Sequence, residues 1–426
     1  MSVKKSRIFY GWYIVAALFL IWTICHGLVI LSFTAYIDPL MSTFGWSYTQ
    51  ITIAASLRSL IYVIFMPITG MIVDRWNAKK LVLAGVILAS IGFLSLSWIH
   101  SLGQFYLCYI VMGIGTSACT ATIPLTLVGR WFRKKLTFAT GILMSGTGIG
   151  GLIVPLITQN IDLLGWHTAM LITGLIMLVV LTPISLLVRP YPEQYGYLAD
   201  GAVSNEPVLD KEKTPAQKET ADIGIKHALK SRAFWHVSVA FMLHALAVHA
   251  VTTNIMPYLA TIGSSRMASS FAASALAILS IIGRLSFGWF GDKFNKKLIA
   301  ASGTFLIGLS LIFFSNITAV SPWILVLSII LFGIGWGGSI TLHSVILKDC
   351  FGTNNLGGII GFSISITAIG QMAGPPLVSW IFESFGDYRI AWLIVIGVVI
   401  ISITSQLTNP LVRIRKQTTG PGTDSI

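Results

Sequence analysis

Charge is what this sequence lacks most. Only 10% of its 426 residues are Asp, Glu, Lys or Arg, where a soluble domain carries about 25%. That scarcity excludes an ordinary soluble enzyme and a disordered chain alike. Acidic residues are rarer than basic ones, 15 against 28, and none falls in the centre of an apolar stretch. Asp38, Asp162, Glu383 and Asp387 fall at one set of stretch ends, and Asp74, Asp292 and Asp349 at the other. Lacking a carboxylate at membrane depth, the chain has no ligand for organic cations and no acid to drive drug efflux. Cysteine is confined to Cys25, Cys108, Cys119 and Cys350, without metal-ligand spacing. Neither a metal site nor an extracellular disulfide framework is expected. No G-x-x-x-x-G-K-[ST] run occurs, so ATP-driven transport is not expected. No nucleophile–base pair suggests an enzyme, and no cofactor is implied.

Apolar residues are what the chain has in excess, at 55% with a mean hydropathy of +0.82. Stretches of about 20 such residues recur, each long enough to cross about 30 Å of hydrocarbon. They lie near 12–37, 48–73, 81–99, 103–128, 138–159, 167–188, 233–259, 268–290, 298–316, 322–347, 357–382 and 388–412. The predicted fold is an all-α membrane protein with twelve transmembrane helices. The first stretch follows the basic Met1–Arg7 segment and is too long for a cleavable signal. The net charge of +13 is one-sided. With the N-terminus inside, 24 of the 28 Lys and Arg face the cytoplasm, and only Arg266 and Arg389 face outward. Both termini are therefore expected in the cytoplasm of a plasma or inner membrane. The basic clusters mark orientation, not nucleic-acid binding.

The chain reads as a duplication. Gly70-Met-Ile-Val-Asp74-Arg75-Trp-Asn77 closes the second stretch, and Gly288-Trp-Phe-Gly-Asp292-Lys293-Phe-Asn295 closes the eighth, 218 residues later. Gly113-Ile-Gly115 and Gly333-Ile-Gly335, like Pro155 and Pro375, repeat at 220. Two pseudo-symmetric six-helix bundles follow, over 1–188 and 233–412. A polar cytoplasmic linker over 189–232, with one surface helix near 222–232, joins them, and 413–426 is a cytoplasmic tail. The glycines near 141–151 and 357–374 permit close helix contact, as sliding interfaces require.

Two arginines, Arg58 and Arg284, fall inside stretches. A guanidinium does not deprotonate in a protein. Placing one at mid-bilayer costs about 2.5–3.5 kcal/mol, so such a residue is read as facing a partner or a wet cavity. A structural ion pair or a snorkelling side chain is the competing reading, and for Arg58 bonding to backbone carbonyls competes equally. Arg284 precedes Asp292 by eight residues and Arg58 precedes Asp74 by sixteen. At 1.5 Å per residue, Arg58 lies about one to two turns farther from the cytoplasm. Buried cations without buried carboxylates invite a mobile anion, and a planar carboxylate fits the guanidinium fork.

A proton co-substrate needs a titrating group, and histidine is the available one. His26, His244, His249 and His343 fall in stretches. His244 and His249, about 140° apart on a helix, are not expected to line one cavity together. The substrate itself can carry the proton instead. Asn254, beside Pro257, is a candidate polar contact or hinge.

These residues carry a resemblance. Six plus six helices with G-x-x-x-D-[R/K] between the second and third and the eighth and ninth resemble the major facilitator superfamily. Trp131-Phe132-Arg-Lys-Lys-Leu-Thr-Phe138-Ala139-Thr-Gly141 resembles the monocarboxylate transporter signature, of which Tyr10-Gly11-Trp12 is a reduced opening. Asp349-Cys-Phe351-Gly352 with Asn355-Leu-Gly357 resembles the oxalate/formate branch. The resemblance implies that Arg284 binds the substrate carboxylate. It also implies that Gly70, Asp74, Arg75, Gly288, Asp292 and Lys293 latch the cytoplasmic side when the outer side is open. Thr120 and Trp336 stand where tyrosines are common in similar proteins, and Ser280 where animal monocarboxylate transporters have an aspartate. The lysine of the oxalate branch in the eleventh helix is missing here.

The expected function is alternating-access transport of small monocarboxylates such as lactate or pyruvate, coupled to a proton. Arg284, Arg58, Asn254, His26, His249, Thr120, Trp336 and Ser280 are the candidate substrate contacts. The alternatives are a dicarboxylate or anion exchanger of the oxalate-formate type and a non-transporting carboxylate sensor. The partners are the small carboxylate, the proton and the lipid bilayer.

Overall fold

The computed structural model describes residues 9–201, 224–316 and 322–408. The basic Met1–Arg7 segment, linker residues 202–223 and the tail from 409 onward lie outside the described residues. Among the described residues, every regular element is helical.

The first half runs through α1 (Tyr10–Cys25), a π turn (His26–Leu31), a 3-10 turn (Ser32–Tyr36) and α2 (Ile37–Phe44). It continues through α3 (Tyr48–Arg75), α4 (Ala78–Ser95), α5 (Leu102–Cys119), α6 (Thr122–Trp131), α7 (Leu136–Gly150) and α8 (Val154–Leu186). A short helix, α9 (Ile225–Lys230), is the surface helix expected near 222–232. The second half comprises α10 (Arg232–Thr261), α11 (Arg266–Lys293), α12 (Lys296–Phe314), α13 (Pro322–Phe351), α14 (Leu356–Phe385) and α15 (Tyr388–Thr408).

Eleven helical segments among the described residues are long and apolar enough to cross a membrane. The sequence reading has twelve stretches, and the difference lies at Leu136–Leu186, which runs as one 51-residue segment. A straight helix of that length would extend ~76 Å, more than twice the hydrocarbon thickness. Gly165 breaks it with φ 78°, a left-handed conformation that a residue with a Cβ adopts only at a cost.

Local capping repeats along with the motifs. Ser47 caps α3 by accepting from Gln50 N, and Ser265 caps α11 by accepting from Ala268 N, both at 3.2 Å. Asn77 and Asn295 cap α4 and α12 in the same manner, at 3.0 and 3.1 Å. These side chains satisfy helix-end donors that would otherwise be orphaned. Both pairs of caps stand 218 residues apart, the spacing of the repeated motif.

Contacts between the halves run mainly along α3 against α14 and α7 against α11. Small residues let these helices approach. A methyl group at Gly70 would overlap the carbonyl of Gly357, and one at Gly141 would overlap the backbone carbonyl of Arg284. The linker is not loose from its start. The Arg189 guanidinium lies over the rings of Tyr10 and Tyr195 at 3.8 and 4.2 Å, and its carbonyl accepts from Trp131 Nε1 at 2.9 Å. Asp200 accepts from the backbone N–H of Arg133 and Lys134, so residues 189–201 form a strap against the α6–α7 loop.

Candidate functional site

A chamber of about 440 Å³ lies between the halves, with walls from α1, α3, α7, α10, α11, α13 and α14. Its lining is mostly apolar, including Trp22, Tyr62, Met144, Trp336 and Met372. Into this lining the sequence places two guanidiniums and four imidazoles: Arg58, Arg284, His26, His244, His249 and His343.

Arg284 is 4% exposed. It donates from Nη1 to the Met144 carbonyl of α7 at 3.1 Å, and its Nε has no hydrogen-bond partner. Its Cζ lies 5.7 Å from the centre of the Trp336 ring, within cation–π range. Arg58 is 7% exposed, and among the described residues its Nη2 reaches only Ser59 Oγ, at 3.4 Å. Neither arginine is ion-paired among the described residues. Each presents more donors than the protein satisfies. Burying such groups unmatched is costly, and a ligand oxygen would complete them.

The π turn that begins at His26 brings its ring parallel to Trp22 at 5.1 Å, and Nδ1 bonds the Trp22 carbonyl at 3.0 Å. His26 lines the chamber together with both guanidiniums. His249 Nδ1 bonds the Ala245 carbonyl at 3.0 Å. A carbonyl only accepts, so in His26 and His249 Nδ1 carries the hydrogen and Nε2 keeps its lone pair. His244 joins Thr304 Oγ1 at 3.2 Å, and His343 Nε2 joins Ser363 Oγ at 2.8 Å. Contrary to the expectation from helical angle, His244 and His249 both border the chamber, because it extends over more than one face of α10.

Three expected contacts stand behind the wall instead of on it. Thr120 is fully buried, bonds the Thr116 carbonyl at 2.7 Å and sits against the Tyr62 phenol. Ser280 turns back to the Ala277 carbonyl at 2.7 Å, with Gly337 packed on its backbone. Asn254 brackets α10 to α14, donating to the Ala250 carbonyl at 2.9 Å and accepting from Ser379 Oγ at 3.2 Å. Each satisfies its polar atoms locally, as a buried hydroxyl or amide must. Sequence reasoning passed over Trp22 and Tyr62. Both stand four residues before or after a singled-out residue, His26 or Arg58, and so share its helix face.

The Asp74 and Asp292 end is closed by reciprocal bonds. Asp74 accepts from Gly357 N and Gly358 N at 3.0 and 2.8 Å, at the start of α14. Asp292 accepts from Thr137 N and Phe138 N at 2.7 and 3.0 Å, at the start of α7. Each carboxylate meets the free donors and positive dipole end of a helix from the other half. Lys348 Nζ adds a bond to the Phe132 carbonyl at 2.7 Å. Arg75 and Lys293 take no part in these bonds. Arg75 is exposed, and Lys293 lies 3.5 Å over the Trp289 ring. Helix-end N–H groups take the role expected of them, and Arg130, 3.4 Å from Asp74, is the cation at that carboxylate.

The chain matches the family model of the Major Facilitator Superfamily over residues 13–342 and 255–418. It belongs to that superfamily and is a multi-pass membrane transporter, not an enzyme. It is 28% identical over 424 residues to monocarboxylate transporter 12 of Xenopus laevis, covering 96% of this chain and 90% of that protein. It is 25% identical over 366 residues to the oxalate:formate antiporter of Oxalobacter formigenes, covering 85% and 83%. Its fold is similar to the transporter FucP in the outward conformation, with a TM-score of 0.69 at 14% identity, over 93% of this chain and 98% of that one.

Proposed function

We propose that this transporter moves small monocarboxylates together with a proton by alternating access between two six-helix halves, 1–188 and 233–412. On this reading the Gly165 break makes twelve crossings, and both termini face the cytoplasm. One observation carries the proposal. The Arg284 guanidinium is buried on the chamber wall with a single backbone bond and no ion pair among the described residues. A carboxylate at the chamber would satisfy its fork with two charge-assisted bonds. The similarity to a monocarboxylate transporter and to an oxalate:formate antiporter supports the same chemical class.

The Asp74 and Asp292 bonds hold the cytoplasmic ends together while the chamber lies beyond them, which is an outward-open arrangement. Opening inward breaks four charge-assisted bonds. The proton acceptor is a chamber histidine. His249, with Nδ1–H committed to Ala245 and Nε2 free to accept, fits that role. Lactate- or pyruvate-like acids are cargo of the size and charge proposed. Uptake into proteoliposomes tests the reading: Arg284→Gln abolishes it, and full transport by that variant overturns the proposal.

A second reading, exchange of dicarboxylates, draws on the presence of Arg58 on the same wall. Preloading vesicles with unlabelled substrate accelerates uptake by an exchanger, whereas a proton symporter responds to a pH step.

A further inference from the structure

A second cavity of about 440 Å³ opens on the opposite side of the latches from the chamber. It shares no lining residue with the chamber. Its walls carry Arg130 and Arg133 of the first half, Tyr191 and Glu193 of the strap, and Lys348 and Asn354 of the second half. Three cations thus meet from separate elements. Nearby carboxylates are largely committed elsewhere. Asp74 accepts from two backbone N–H groups and from Arg130 Nη2, Asp200 from the backbone N–H groups of Arg133 and Lys134, and Asp349 from Lys296 Nζ, which leaves Glu193 as the lining carboxylate without such a bond among the described residues. Arg130 is 8% exposed, lies under the Tyr191 ring at 4.6 Å and, among the described residues, has no hydrogen-bond partner for Nη1. A buried guanidinium nitrogen without an acceptor is costly and is ordinarily completed by a ligand or water.

We propose that this cleft binds a soluble phosphate-bearing anion, inorganic phosphate or a small phosphomonoester, that holds the cytoplasmic face shut. A tetrahedral phosphate offers acceptors in several directions at once, which suits donors converging from three elements better than a planar carboxylate does. The volume leaves space for a small organic body beside the phosphate. Tyr191 and Glu193 of the polar linker line the cleft, which favours a soluble ion over a lipid headgroup. The occupant bridges Arg130 and Arg133 to Lys348 and Asn354, so separating the halves dismantles its site. A ligand that binds only the closed form multiplies the closed-to-open ratio by about elevenfold at ten times its Kd. The binding claim stands apart from the cargo assignment; only the effect on transport rests on the proposed function.

Two measurements test it. Purified protein is melted with inorganic phosphate or glycerol phosphate against sodium chloride of equal ionic strength. The proposal expects saturable stabilisation by both phosphates, lost in Arg133→Gln. Transport is then measured in vesicles of zwitterionic lipid with phosphate enclosed on the cytoplasmic face. Wild-type turnover falls about tenfold at ten times the Kd, and Arg133→Gln keeps the basal rate but escapes the inhibition. Stabilisation no greater than that given by salt overturns the proposal, as does stabilisation undiminished in both Arg133→Gln and Lys348→Gln. If phosphate is inert while anionic lipid stabilises, the cleft belongs to a headgroup and the soluble-anion assignment is wrong. The melting experiment needs no transported substrate, so its failure is distinct from failure of the carboxylate reading.

Discussion

Replacing Asp292 by Asn removes half of one latch while preserving its shape. The wild-type carboxylate accepts from Thr137 N at 2.7 Å and Phe138 N at 3.0 Å. An amide has one acceptor oxygen, so one N–H loses its partner and faces an NH₂ group. Hydrogen bonds to a charged group contribute about 1.5–3 kcal/mol each, against about 0.5–1.5 for neutral ones. The lost attraction to the α7 dipole adds about 0.3–1 kcal/mol. A net cost of about 2–3 kcal/mol falls on the cytoplasm-closed state alone, since these contacts exist only there. That shifts the closed-to-open ratio about 30- to 150-fold toward inward-open. The assay is external labelling of Ala368→Cys, a chamber position, by a membrane-impermeant thiol reagent. Labelling falls in the Asp292→Asn background, and Asp74→Asn behaves alike because it caps α14 with the same geometry. If neither substitution changes the labelling rate, the reasoning about the latch is refuted.

Three further outcomes follow from the same geometry. Arg284→Lys keeps the charge but loses the planar fork, so KM for the carboxylate rises about tenfold or more; an unchanged KM contradicts bidentate binding. His249→Gln keeps a donor for Ala245 but cannot take up a proton, so uptake driven by a pH step is lost while counterflow persists; an intact response to the pH step moves the proton elsewhere. Gly70→Val pushes into the Gly357 carbonyl, which costs about 1–3 kcal/mol and reduces external labelling of the chamber; undiminished labelling and an unchanged melting temperature contradict the close approach of α3 and α14.

The parts of this molecule that repeat or stand out chemically were legible in its sequence. Gly70 to Asn77 and Gly288 to Asn295 repeat a motif in the sequence, and the structure adds matched caps at Ser47 and Ser265 and at Asn77 and Asn295. Arg284 and Arg58 were conspicuous because a fixed charge in an apolar run has few physical explanations. Partnerships across the halves were not legible. Nothing in the spacing says that Asp74 bonds Gly357 and Gly358 of α14, or that Arg130 rather than Arg75 lies beside it. Such pairings depend on how two helix ends meet, which periodicity along one helix does not encode. Small hydroxyls are hard to place for a related reason. Thr120 and Ser280 look available in a sequence, yet each closes a bond to its own helix, at the Thr116 and Ala277 carbonyls. His244 and His249 stand about 140° apart around the helix, but a chamber spread around α10 receives both.

The central claim is that the Arg284 guanidinium is the receptor for the substrate carboxylate. Its most direct test is thermal stabilisation of purified wild type and Arg284→Gln by C1–C6 monocarboxylates at constant ionic strength. The account predicts saturable stabilisation of the wild type by at least one of these acids and none of the variant. Equal stabilisation of both proteins by the same acid would contradict it.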